Sequence, residues 1–264
     1  MNYSRICESV RSLVEKTAQF IEKEQESHLD LGTEAKGEHN FVTYVDKQAE
    51  KMLVEGLSKF IPESGFIAEE GTSDKKGDRF NWIIDPVDGT TNYIHGMTPY
   101  AISVALKEDD DIVIGVIYEV GAHECFYAWK DSPAYLNGEI IKVSDAPTVS
   151  DCLVGTGFPY TNFKYLDGFM LSVRYFMENS HGLRRLGSAA TDIAYLACGR
   201  FDAFYEYGLK PWDVAAGVLI LKQAGGSVGD FDGGSDYLFG EEFVASNPLV
   251  FDEFQTLIRK LIKG

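Results

Sequence analysis

The chain has 264 residues, 45% hydrophobic and 25% charged, and its 41 Asp and Glu outnumber its 24 Lys and Arg to give a formal charge of −17. This balance excludes disorder and fibrous repeats, and the length suits one large domain or two joined halves. The negative field excludes nucleic acid and anionic membrane surfaces as expected partners, and a phosphate ester requires bound cations or local donors at its site.

From the N-terminus, Ile6, Val10, Leu13, Val14, Thr17 and Ile21 recur at helical spacing and predict an amphipathic helix ending in the polar stretch from Glu22 to His28. Charges among the first residues exclude a secretory signal there, and no apolar run approaches a membrane span, so a cytoplasmic protein is expected. The polar segment GTEAKGEHN reads as a mobile loop. A second helix with Ala49, Leu53, Leu57 and Phe60 on its apolar face stops near Pro62.

From Gly65 to about Ser144 the pattern changes to short β-rich runs (GFIA, FNWIID, YAISVAL, DIVIGVIYEV, ECFYAWK) with a hairpin turn at Asn137-Gly138, which predicts a mostly antiparallel sheet. The segment SDAPTVSD marks a boundary between halves at 1–146 and 147–264. Beyond it strand-like and helix-like stretches alternate, including a helix near 162–179, as expected for helices packed on a mixed sheet. Asn247-Pro248 is predicted to cap and start a last helix carrying Leu257, Ile258 and Leu261.

Three acidic stretches carry candidate chemistry. Asp85-Pro86-Val87-Asp88-Gly89-Thr90 follows the apolar strand FNWII, and two carboxylates three residues apart can converge on an ion that demands oxygen ligands, as Mg²⁺ does. Asp-Pro and Asp-Gly are also plain turn formers. Glu69-Glu70 ends the strand GFIA, and alternation aims one of the pair inward, although an acidic pair also suits a solvated strand end. Asp213 opens the apolar helix after Pro211, where negative charge also suits the helix dipole. Cys7, Cys125, Cys152 and Cys198 form no C-x-x-C pair, which fits reduced thiols, and no pair among the five histidines has metal-ligand spacing.

EEG at 69–71, DPVDGTTNY at 85–93 and PWDVAAG…LKQAGG at 211–226 resemble, in order and spacing, the inositol monophosphatase family of lithium-sensitive metal phosphatases. DGTTNY, LGSAATDIAY and LKPWD look most like its bacterial members. The resemblance implies a layered α-β-α-β-α sandwich, and a homodimer that hydrolyses inositol monophosphate with two or three Mg²⁺, Mn²⁺ being a substitute. It implies Glu69, Asp85, Asp88, Asp213 and the Val87 carbonyl as metal ligands. Glu69 and Thr90, the latter paired with Asp46, would orient the attacking water, and Lys36 would lie on a loop near a weaker third metal. Gly89 and Thr90 are implied for phosphate, and Gly187, Ser188, Ala189 and Glu206 for a hydroxylated ring. Lys210, at the pocket rim, stands where several animal relatives have histidine. Asp46 also reads as a helix cap, Lys36 as a solvated loop charge and Glu206 as an exposed strand terminus. The same metal core serves enzymes for histidinol phosphate, fructose 1,6-bisphosphate and 3′-phosphoadenosine 5′-phosphate, and some bacterial relatives bind transcription machinery.

Overall fold

The computed structural model describes residues 1–27, 34–37, 40–42 and 44–264, the side chains of 34–37 and 40–42 excepted. The Lys36 side chain therefore lies outside the described residues, as do His28 and His39.

Helix α1 (Tyr3–Glu26) begins where the Asn2 side chain accepts the Arg5 N–H at 3.1 Å. Its buried positions, Cys7, Val10, Val14, Thr17, Ala18 and Ile21, form one face of a 3.6-residue repeat. Strands β1 (Glu34–Gly37) and β2 (Asn40–Val42) pair antiparallel, so part of the segment expected as a loop is a short strand pair. Helix α2 (Tyr44–Phe60) follows and ends two residues before Pro62.

Seven strands then form one sheet in sequence order: β3 (Gly65–Ala68), β4 (Phe80–Asp88), β5 (Ala101–Glu108), β6 (Asp111–Glu119), β7 (Glu124–Trp129), β8 (Ala134–Leu136) and β9 (Glu139–Ile141), with the short helix α3 (Thr90–Ile94) after β4. Only β3 and β4 are parallel among these neighbours. Asn137 and Gly138 both take positive φ, 50° and 94°, as the two-residue turn between β8 and β9 requires.

The second sheet has the order β11-β10-β12-β14-β13 and is mixed. Its chain order is β10 (Leu153–Thr156), helix α4 (Leu166–Asn179), β11 (Gly182–Arg184), helix α5 (Ala189–Ala197), β12 (Ala203–Tyr207), helix α6 (Pro211–Gln223), β13 (Ser227–Gly229), β14 (Glu242–Ser246) and helix α7 (Phe251–Ile262). Asn247-Pro248 does not start the last helix. The Asn247 Oδ1 accepts the Leu249 N–H at 2.9 Å, which spends the asparagine on a turn, and α7 begins at Phe251.

Among the described residues six of the seven helices and the two large sheets stack as α1 and α2, the seven-stranded sheet, α5 and α6, the five-stranded sheet, then α4 and α7. Strand alternation divides the core accordingly. On β4, Trp82 and Ile84 pack toward α1 and α2, whereas Ile83 faces α5 and α6. On β12, Ala203, Tyr205 and Tyr207 face α4 and α7, whereas Phe204 faces the central layer. No helix of the described residues is long and apolar enough to cross a membrane.

Candidate active site

The same alternation delivers the acidic residues. Glu69 follows the parity of Ile67, Asp85 that of Ile83 and Glu206 that of Phe204, so all three are carried toward the central helix layer. The Glu69 N–H donates to the Ile84 carbonyl at 3.2 Å, which extends the β3–β4 pairing and sets Glu69 beside Asp85. Strand β4 does not stop at Asp85, as a turn there would require. It continues to Asp88 across an irregularity between residues 85 and 88, where Pro86 offers no ladder donor. Gly89, at φ 94°, then turns the chain into α3.

Asp213 arrives from the other side. Pro211 starts α6, and the Ser103 hydroxyl on β5 donates to the Trp212 carbonyl at 2.9 Å, seating the helix start on the sheet. Asp85, Asp88 and Asp213 each bring a carboxylate oxygen to one place, all within 4.8 Å of one another. Each is also held by the backbone. Asp85 Oδ1 accepts the Val87 N–H at 2.9 Å, Asp88 Oδ2 accepts the Ala190 N–H at 2.7 Å, and Asp213 Oδ2 accepts the Lys210 N–H at 2.6 Å.

Burial raises all three carboxyls. For Asp85 the charges of Glu69, Asp88 and Asp213 add to it, and it lies well above the usual carboxylate range. Burial also lifts Asp213 well up, with the Asp88 charge next in weight. Asp88 is pushed up to about 6 by burial, against the opposing bonds from Ser188 and Ala190. Hard oxygen donors, crowded and deprived of water, fit a small divalent cation, which would relieve this repulsion.

The neighbours expected from the sequence line the same cleft of about 310 Å³, where Glu69, Gly89, Thr90, Gly187, Ala189 and Lys210 are found. The Thr90 hydroxyl lies 3.1 Å from Asp46 Oδ1 and 3.0 Å from the Val87 carbonyl oxygen. Asp46 is buried in the first turn of α2. Ser188 also lines the cleft, but its hydroxyl is committed, donating to Asp88 Oδ2 at 2.6 Å while Ser188 caps α5. Glu206 is buried, not an exposed strand end, and burial together with Asp213 and Asp88 raises its carboxyl well above the usual range. Lys210 sits at the rim with its ammonium on Glu241.

A scan against family models matches residues 3–262 to the inositol monophosphatase family. The chain belongs to that family. An inositol-1-monophosphatase of Mesorhizobium japonicum is 39% identical over 222 residues, 84% of each chain. A fructose-1,6-bisphosphatase/inositol-1-monophosphatase of Thermotoga maritima is 37% identical over 227 residues, 86% of each. Among solved structures, the extragenic suppressor protein suhB of Bartonella henselae superposes with a TM-score of 0.92 at 33% identity, covering 97% of this chain and 99% of that one. Membership in the inositol monophosphatase family supports a metal-dependent phosphatase activity, and the acidic group above is one that could hold the metal.

Some residues of the site escape sequence reasoning. Glu50 is fully buried on α2 and accepts the Glu70 and Thr72 N–H groups, both at 2.7 Å, bracing the turn after Glu69. Its spacing from Asp46, Leu53 and Leu57 along the buried face of α2 was the available signal. Arg185 and Asp192 also line the cleft, and their positions in GLRRLG and SAATDIAY carry no such mark.

Proposed function

We propose that this chain is a Mg²⁺-dependent inositol monophosphatase, releasing inositol and phosphate by in-line attack of water. The observation that carries the reading is the meeting of Asp85, Asp88 and Asp213, from two distant stretches of chain, at one end of a cleft that also holds buried Glu206. Bound at that cluster, with Mn²⁺ as a substitute for Mg²⁺, divalent cations supply charge neutralisation for the phosphate and make water acidic enough to attack near neutral pH. Glu69, Asp85, Asp88, Asp213 and the Val87 carbonyl would hold them.

The remaining steps belong to the chain's own groups. Thr90, hydrogen-bonded to Asp46, orients the water and takes up its proton through the Thr90–Asp46 contact. The backbone around Gly89 and Thr90 holds a phosphate oxygen. Glu206 accepts hydrogen bonds from hydroxyls of the leaving group and so favours a polyol. The homodimer, the cytoplasmic location and lithium sensitivity belong to the same proposal.

The test is phosphate release with Mg²⁺ from inositol monophosphate, fructose 1,6-bisphosphate, histidinol phosphate and 3′-phosphoadenosine 5′-phosphate, for the native chain and Asp88→Asn. Inositol monophosphate is expected to be cleaved with the highest kcat/KM, to be inhibited by millimolar Li⁺, and to lose over 100-fold in the variant. A preference for the nucleotide, or turnover by Asp88→Asn within tenfold of the native chain, refutes the reading.

A further inference from the structure

Asp192 stands on α5, one turn beyond the Ser188 cap, and lines the cleft with only 1% of its surface exposed. Its Oδ1 is buried and has no hydrogen-bond partner. A buried carboxylate oxygen without a partner is costly, and native proteins rarely carry one without a use. The Arg185 Nε, on the same cleft, is likewise buried without a partner. Two further features define the surroundings. Glu206 lines the same cleft, and burial raises the Asp192 carboxyl well above the usual range, with the Glu206 and Asp88 charges adding to the rise and the Arg185 guanidinium opposing it. Asp192 makes none of the backbone contacts that hold Asp88 and Asp213 in place, so it braces neither of them.

We propose that Asp192 is a specificity-determining residue: its free Oδ1 accepts a hydrogen bond from a hydroxyl of the leaving group, alongside Glu206, so that the site reads a polyhydroxylated, uncharged alcohol. A hydroxyl is the fitting ligand because it donates to a carboxylate and accepts from an N–H, and the cleft presents both kinds of orphaned group. A hydroxyl-free leaving group makes neither bond and gains nothing from Asp192. The inference rests on the proposed phosphatase reading and deepens it.

The experiment measures kcat/KM for inositol monophosphate and for p-nitrophenyl phosphate, whose leaving group has no second hydroxyl, in native chain, Asp192→Ala and Asp192→Asn. Asp192→Ala is expected to lose about tenfold on inositol monophosphate, mainly in KM, and less than twofold on p-nitrophenyl phosphate. Asp192→Asn, which keeps an acceptor oxygen, should recover part of the loss. The melting temperature should hold or rise in both variants, since no hydrogen bond is removed. An equal loss on both substrates, or no loss on the polyol, overturns the role of Asp192 while leaving the phosphatase reading intact. A native chain that cleaves p-nitrophenyl phosphate and none of the hydroxylated phosphates overturns the polyol reading, and Asp192 falls with it.

Discussion

The Ser188 hydroxyl donates to Asp88 Oδ2 at 2.6 Å, joining residues 100 apart in the chain. That bond ties the end of β4 to the start of α5, and the Ala190 N–H reinforces it on the same oxygen. Ser188 thus works on both counts, as a helix cap whose Oγ accepts the Thr191 N–H and as the group that aims Asp88. Loss of an N-cap costs about 1 kcal/mol, and loss of a hydrogen bond to a charged group about 1.5–3 kcal/mol. Ser188→Ala is expected to lower the melting temperature by roughly 5–16 °C, at about 2–4 °C per kcal/mol, and to weaken Mg²⁺ binding about tenfold. Thermal melts with a magnesium titration check this. Unchanged metal affinity would show that Ala190 alone suffices.

Glu50 braces Glu69 at one remove. Both of its carboxylate oxygens are engaged, Oε2 by the Glu70 N–H and Oε1 by the Thr72 N–H, so a carboxamide in its place would turn one amine toward an amide donor. Glu50→Gln is expected to fold, to lose roughly 1–3 kcal/mol of stability, and to need about tenfold more Mg²⁺ for half-maximal activity. Activity against magnesium concentration reads it. A normal magnesium requirement with reduced stability would confine Glu50 to a structural role.

The sequence carried the parts of the site that lie in turns and strand ends. DPVDGT, EEG and PWD announce themselves because acidic residues at such places stand out against apolar runs, and their family resemblance covers nearly the whole chain. Glu206 was legible by motif, but its burial was not, since parity on β12 is fixed only when the second sheet closes over α5 and α6. Asp192 was hidden because an acid inside a helix ordinarily faces water, and Glu50 was marked only by its place on the apolar face of α2 with Leu53 and Leu57. The start of α7 moved three residues beyond Pro248 because Asn247 spends its side chain on a turn. The continuation of β4 to Asp88 was masked by Pro86, which reads as a strand end but sits at an irregularity of the ladder.

Gly157 makes room for Glu206. A Cβ built there would lie 2.0 Å from the Glu206 carboxyl carbon, closer than any real contact. The group that must give way is the far end of a flexible side chain, so Gly157→Ala should cost little stability and instead displace the carboxylate. Its melting temperature is expected to fall by less than about 4 °C, under about 1–2 kcal/mol, while KM for inositol monophosphate rises about tenfold. Steady-state kinetics beside a thermal melt decide it, and a normal KM would mean that Glu206 does not contact the substrate.

The metal-free protein should be stabilised by mild acid. Asp88 titrates near 6 when folded, against 3.8 for an unperturbed aspartate, and Asp85 and Asp213 are shifted in the same direction by burial. A raised carboxyl holds its proton in the folded state where the unfolded chain has lost it. Stability is therefore fully present below the unfolded value and is lost as pH climbs through the folded one, for Asp88 between 3.8 and about 6. In chelator the melting temperature should be at least about 5 °C higher at pH 5 than at pH 7.5. Saturating Mg²⁺ should reverse that order, because binding requires the ionised carboxylates and stabilises the fold that presents them. The chain's −17 charge pushes in the same direction as the carboxyls, so Asp88→Asn serves as the control and should shrink the pH difference in chelator without abolishing it. A melting temperature in chelator that rises between pH 5 and pH 7.5 would show that the acidic cluster is not the strained element described here.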